Sequence, residues 1–150
     1  MKKWLFLILL FPLICVAQTY RYLGVEDGLS NRRVYCIQKD KTGYMWFLTH
    51  EGIDRYNGKE FKRYKLMDGD AEVNSLLNLN WLYIDQEGVL WEIGKKGKIF
   101  RYDELHDTFE LVYKLPIENF RDLPAPISFA WLDENKQIWL CNEETIFLYN

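Results

Sequence analysis

Proline and glycine are scarce in this chain, with 4 Pro and 9 Gly among 150 residues, and cysteine is scarcer still, with 3. The first shortage excludes collagen-like repeats and long flexible linkers, and the second excludes a small domain built on disulfides. Positive charge is also short. A formal net charge of -3 offers no broad basic surface to a phosphate backbone, which argues against nucleic acid as a partner. Aromatic surface is abundant instead, with six Trp, ten Tyr and nine Phe. Such a chain has enough apolar area to offset the entropy of ordering, and its length fits one ordinary domain.

Long apolar runs are missing except at the start. Lys2 and Lys3 precede the stretch Trp4 to Val16, and Cys15-Val16-Ala17 places small residues at -3 and -1 before Gln18. This order reads as a secretory signal peptide over residues 1–17, cleaved at Ala17-Gln18. The run falls short of the roughly 20 residues a spanning helix needs, and Pro12 near its end favours release. An uncleaved anchor is the alternative. Ile14 stands where a lipoprotein signal requires a small residue before Cys15. Loss of Lys2 and Lys3 takes the formal charge from -3 to -5 and leaves an acidic, exported chain with Cys36 and Cys141, both read as buried thiols within strands.

The rest of the sequence repeats. Asp40-Lys41-Thr42-Gly43-Tyr44-Met45-Trp46 is followed by Gly52-Ile53-Asp54-Arg55-Tyr56. Asp85-Gln86-Glu87-Gly88-Val89-Leu90-Trp91 is followed by Gly97-Lys98-Ile99-Phe100-Arg101-Tyr102, and Asp133-Glu134-Asn135-Lys136-Gln137-Ile138-Trp139 by Ile146-Phe147-Leu148-Tyr149. The Trp residues lie 45 and 48 positions apart. Within each unit, short β-branched and aromatic runs alternate with turn residues, which predicts consecutive hairpins. The first unit divides into strands over 35–39, 44–49, 53–56 and 61–66, with Asn57-Gly58 turning between the last two. In Asp-x-x-Gly, Asp bonds the backbone ahead of it and Gly accepts a positive φ. Lys136 replaces that Gly in the third unit, and Asn135 is expected to take the left-handed position.

Four-stranded units at this period, each with a Trp at one place in its second strand, predict an all-β chain of β-propeller blades over about 35–66, 81–115 and 129–150. Trp46, Trp91 and Trp139 are expected to be buried between blades. An extra strand over 20–23 precedes the first unit and matches the outer strand of a blade. The third unit has three predicted strands, so the sequence reads as a partial propeller with an open edge and a tendency to self-associate.

These residues resemble the two-component regulator propeller repeat, whose pattern runs Asp-x-x-Gly-x-x-Trp, a Thr-x-x-Gly turn and an aromatic-ended strand. Thr49-His50-Glu51-Gly52-Ile53-Asp54-Arg55-Tyr56-Asn57-Gly58 is similar to its second half, and Glu26-Asp27-Gly28-Leu29-Ser30-Asn31 to the segment that introduces a first blade. Leu48, Lys95 and the missing glycine of the third unit depart from the pattern. The resemblance implies the N-terminal part of the periplasmic input region of a hybrid sensor histidine kinase. Such regions detect oligosaccharides and switch on polysaccharide utilisation, and are tethered to the inner membrane. Further blades and a kinase would be supplied by a longer protein. A carbohydrate-binding or protein-interaction propeller, or a fragment of a propeller glycosidase, are the alternatives.

No catalytic set, cofactor site or metal site emerges from the spacing, so the chain is not expected to be an enzyme. His50, Glu51 and Asp54 read as a solvated hairpin, Lys95-Lys96-Gly97-Lys98 as a turn, and Asp68-Gly69-Asp70 as a surface connector. The turn Asp-x-x-Gly-x-x-Trp also resembles the Asp-box of sialidase-type propellers, where it is structural. A glycosidase would further need placed carboxylates. Ligand contacts are expected on loops recurring at one end of the blades. One set holds His50, Glu51, Lys95, Lys96, Asn142 and Glu143; another holds Arg32, Arg33, Asn74 and the stretch 116–126. Trp81 and Trp131 fall outside the repeated Trp position and are candidates to stack on a sugar.

Overall fold

The computed structural model describes residues 20–73, 81–94, 97–114, 129–141 and 145–149. Residues 1–17, read from sequence as a signal peptide, lie outside the described residues, as do Asn74, Lys95, Lys96, the stretch 116–126, Asn142 and Glu143. The first sheet contains β1 (Val34–Lys39), β2 (Met45–Thr49), β3 (Gly52–Tyr56) and β4 (Phe61–Tyr64), antiparallel and in sequence order. A small hairpin of β5 (Met67–Asp68) and β6 (Ala71–Glu72) follows. The second sheet runs β7 (Trp81–Ile84), β8 (Leu90–Ile93), β9 (Lys98–Asp103) and β10 (Thr108–Lys114), and the third β11 (Phe129–Leu132), β12 (Ile138–Cys141) and β13 (Ile146–Tyr149). Two sheets thus have four strands each, and the third has three described strands.

The same turn joins the first two strands of every sheet. Asp40 N–H donates to the Tyr44 carbonyl at 3.0 Å and Gly43 N–H to the Asp40 carbonyl at 3.1 Å. Asp85 and Asp133 form the matching pairs with Val89 and Gly88, and with Gln137 and Lys136. Positive φ falls on the fourth residue each time: Gly43 at 95°, Gly88 at 80° and Lys136 at 62°. Asn135 therefore does not take the left-handed position. Asp133 Oδ1 accepts the N–H groups of Asn135 and Gln137, both at 2.9 Å, which fixes the order of conformations and leaves Lys136 in the strained place.

Sheets pack face to face. Trp46, Leu48, Ile53 and Tyr64 of the first sheet form one core with Leu82, Leu90, Phe100 and Phe109 of the second. Trp91, Ile93 and Ile99 form another with Leu132, Ile138 and Leu140 of the third. The second sheet is thus covered on both sides, which is why β8 is buried at all four positions. Each buried apolar side chain of this size contributes about 1.5 to 3 kcal/mol.

Trp46 and Trp91 are buried as expected, at 1% and 5% exposure, but Trp139 is only half-buried. Its face of the third sheet is not covered by another described sheet. Residues 20–23 join no sheet, and Tyr20 and Tyr22 are exposed. The outer strand of the first sheet ends at Tyr64 rather than Leu66, and the chain turns into the β5–β6 hairpin. Gly69 adopts a φ of 61° there, and Asp68 ion-pairs with Lys98 at 2.8 Å and Lys114 at 2.7 Å, tying the connector to the second sheet.

Candidate functional site

Antiparallel order decides which loops share an end. The turns between first and second strands lie at one end with the β3–β4 and β9–β10 hairpins, and the β2–β3 turn lies at the other end with the segment that enters β1. His50 and Glu51 therefore share an end with Arg32 and Arg33. Arg32 and Arg33 are exposed. His50 Nδ1 is 2.9 Å from the Tyr35 hydroxyl, and the His50 N–H donates to the Arg33 carbonyl at 3.1 Å. Glu51 ion-pairs with Arg63 at 3.5 Å, while Asp54 is buried in β3 with Ser30 as its hydrogen-bond partner. The three residues thus form a structured hairpin, without a shared ligand position.

The described cavities between sheets open at the opposite end. One of about 250 Å³ lies between the second and third sheets, lined by Tyr83, Glu87, Trp131, Glu134 and Lys136. Trp131 is 42% exposed, and its indole N–H donates to the Tyr83 hydroxyl at 3.0 Å. Gln86 Nε2 donates to Glu134 across the mouth at 2.8 Å. An open ring with carboxylates, an amide and a hydroxyl beside it can stack on a sugar face and accept its hydroxyl protons. Trp81 instead packs against the second core at the start of β7.

A smaller cavity of about 130 Å³ opens between the first and second sheets beside Asp40, Tyr44, Arg55 and Tyr102. The Arg55 guanidinium stands 4.6 Å from the Tyr44 ring centroid and 5.3 Å from those of Trp46 and Tyr64. It reaches Asp107 at 3.1 Å, and Asp107 also accepts from Lys62, from the Tyr102 hydroxyl and from the Tyr64 hydroxyl at 2.6 Å. Burial works to raise the Asp107 carboxyl, but the hydrogen bonds from Lys62, Tyr102 and Tyr64 and the Arg55 charge outweigh it and hold it well below the usual range. Burial, with the bond to Asp107, pushes Tyr102 up to about 12 and Tyr64 higher still. This cluster links the two sheets. Nothing in the repeat pattern marked Asp107, which follows Leu105 and His106 in a hairpin and has a φ of 52°.

Each repeated Asp also holds its Trp. Asp40, Asp85 and Asp133 accept the indole N–H of Trp46, Trp91 and Trp139 at 2.7, 3.0 and 2.8 Å. Lys136 reaches back to Asp85 at 2.8 Å and to Glu87 at 3.3 Å, so its side chain joins the third sheet to the second. Asp103, His106 and Glu110 bring possible metal ligands within 4.8 Å of one another on the β9–β10 hairpin. Charge pairing accounts for that grouping: His106 is bonded to Asp103, which raises His106 and lowers Asp103, and Arg101 pairs with Glu110 at 3.4 Å.

Antiparallel sheets stacked face on face, with a Trp at one repeated place in the second strand, are consecutive blades of a β-propeller. Residues 28–51 match the model of the two component regulator propeller family. The chain is similar to the extracellular domain of BT3049 of B. thetaiotaomicron, described as a hybrid two component system, with 26% identity and a TM-score of 0.59 over 85% of this chain and 18% of that one. It also shares its fold with the extracellular domain of BT4673 of the same organism, at 20% identity and a TM-score of 0.62, over 88% of this chain and 18% of that one. The chain thus spans under a fifth of the solved chains it matches. No curated protein matches it.

Proposed function

We propose that these blades are the N-terminal part of a ligand-sensing propeller on the outer side of the inner membrane, belonging to a hybrid two-component sensor histidine kinase whose ligand is an oligosaccharide. The observation that carries this reading is the family match at residues 28–51, set in a blade stack similar to the extracellular domain of a hybrid two component system. Among the candidate residues, Trp131 has the features of a sugar platform: an exposed ring at a polar cleft, held in place by Tyr83. Export after removal of residues 1–17 belongs to the same reading, and intact mass of the secreted protein reads it directly.

Calorimetric titration of the whole extracellular region with a panel of oligosaccharides of varied composition and linkage tests the proposal. One glycan class should bind, and Trp131→Ala should weaken it by about tenfold, the equivalent of roughly 1.4 kcal/mol. Loss of Trp131 without effect on a bound glycan would remove the cleft from the reading. Absence of binding across the panel would count against the oligosaccharide.

A further inference from the structure

The segment leading into the first sheet is held by a buried polar cluster. Gly28, at a φ of 106°, lies against Phe61, and Leu29 is 6% exposed. Ser30 then enters the sheet face where Thr49 and Asp54 are both fully buried. Its N–H donates to Asp54 Oδ2 at 2.9 Å, and its hydroxyl lies 2.6 Å from the same oxygen and 2.8 Å from Thr49 Oγ1. Thr49 Oγ1 in turn lies 3.1 Å from the Gly52 carbonyl and accepts the Glu51 N–H at 3.1 Å.

The protons in this chain can be counted. Three oxygen-to-oxygen contacts run from Asp54 through Ser30 and Thr49 to the Gly52 carbonyl, and each needs one proton. Ser30 and Thr49 have one hydroxyl proton apiece, and a carbonyl has none. An ionised Asp54 therefore leaves one contact empty, whereas a protonated Asp54 fills all three in one direction: Asp54 to Ser30, Ser30 to Thr49, Thr49 to Gly52. Asp54 Oδ1 is an independent sign. It is buried with no hydrogen-bond partner, a cost that is far larger for a charged carboxylate than for a neutral acid.

We infer that Asp54 holds a proton when the lead-in segment is docked, and that its ionisation loosens the clasp between this segment and the first sheet. Burial pushes the Asp54 carboxyl above its ordinary 3.8, against the pull of the Ser30 bonds and the Arg63 charge. The surrounding charged and titratable groups have other partners. Arg63 on β4 pairs with Glu51, His50 is bonded to Tyr35, and Asp27 in the lead-in segment accepts the Gly24 N–H at 2.9 Å. Phe47 stands opposite Asp54 on β2 and contributes no charge.

The sign follows from the raised value. Protonation favours the folded, clasped state as pH falls through the Asp54 midpoint towards 3.8, and the contribution is absent above that midpoint. The first test is a carboxyl carbon NMR titration of the wild-type protein. Asp54 should titrate above 3.8, and a midpoint at or below that value would overturn the inference. The second follows amide exchange at Leu29 and Ser30 in the wild type across pH, corrected for its intrinsic pH dependence and taken as a ratio to exchange at Ile53 of the same sheet. That ratio should rise at least several-fold on the alkaline side of the Asp54 midpoint and return to its low value below it. A ratio that does not vary with pH would also overturn the inference, since a merely structural contact gives that result.

Discussion

One aspartate per blade serves the turn and the core at once. In the first blade Asp40 Oδ1 accepts the N–H groups of Thr42 and Tyr44, at 2.9 and 3.0 Å, while Oδ2 accepts the Trp46 indole. The residue that shapes the turn thereby fixes the rotamer of the side chain that fills the gap between sheets. The turn was legible from Asp-x-x-Gly, but the indole bond was not, because a spacing of six residues across a turn shows no face or period. The left-handed place of Lys136 is hidden from the sequence for a related reason. Its long side chain reaches Asp85 on the neighbouring sheet, and this contact, invisible in a local pattern, accompanies a left-handed residue that has a Cβ. Packing sets the expected order of substitutions. Trp46→Ala and Trp91→Ala should each cost about 3 to 5 kcal/mol in equilibrium denaturant unfolding, and Trp139→Ala distinctly less, because half-buried Trp139 has fewer contacts to lose. Equal costs at all three positions would mean that the Trp139 face is covered after all.

Strands and hairpins were largely readable because alternation and turn residues are local signals, and their boundaries moved by one or two residues. The β5–β6 hairpin was not readable, since two-residue strands are too short to show a period. The Asp107 cluster was also missed. It brings Arg55 and Tyr64 of one sheet to Tyr102 and Asp107 of the next, residues that lie 43 to 52 positions apart in sequence where they bond across the seam. This seam should respond to alkali. A tyrosine whose folded value is raised to about 12 contributes stability that is complete below its ordinary 10.0 and is lost as pH climbs towards 12. Absorbance titration should show Tyr102 and Tyr64 ionising only well above 10.0, together with loss of structure. Asp107→Asn should lower that onset. Ionisation of Tyr102 and Tyr64 near 10.0 would show the seam to be open.

Stacking is the property that orders the whole molecule. The first sheet lays its Trp46 face on the second, and the second lays its Trp91 face on the third. The third sheet presents Trp131, Trp139, Cys141 and Ile146 around an apolar hollow of about 280 Å³, with Ile146 70% exposed. Repetition made this stacking predictable, because one Trp at a period of 45 to 48 residues can serve one recurring interface. The location of an open pocket was less predictable. The two described clefts between sheets lie at the Asp-turn end, whereas His50, Glu51, Arg32 and Arg33 lie at the other, and Lys95, Lys96, Asn142 and Glu143 fall outside the described residues. An uncovered apolar face of this kind drives association. Sedimentation velocity of the 150-residue chain across a concentration series, beside Trp139→Glu, measures whether the Trp face is a docking surface. The account predicts concentration-dependent association of the wild type that Trp139→Glu suppresses without loss of β-structure; a wild type that stays monomeric at every concentration would contradict it.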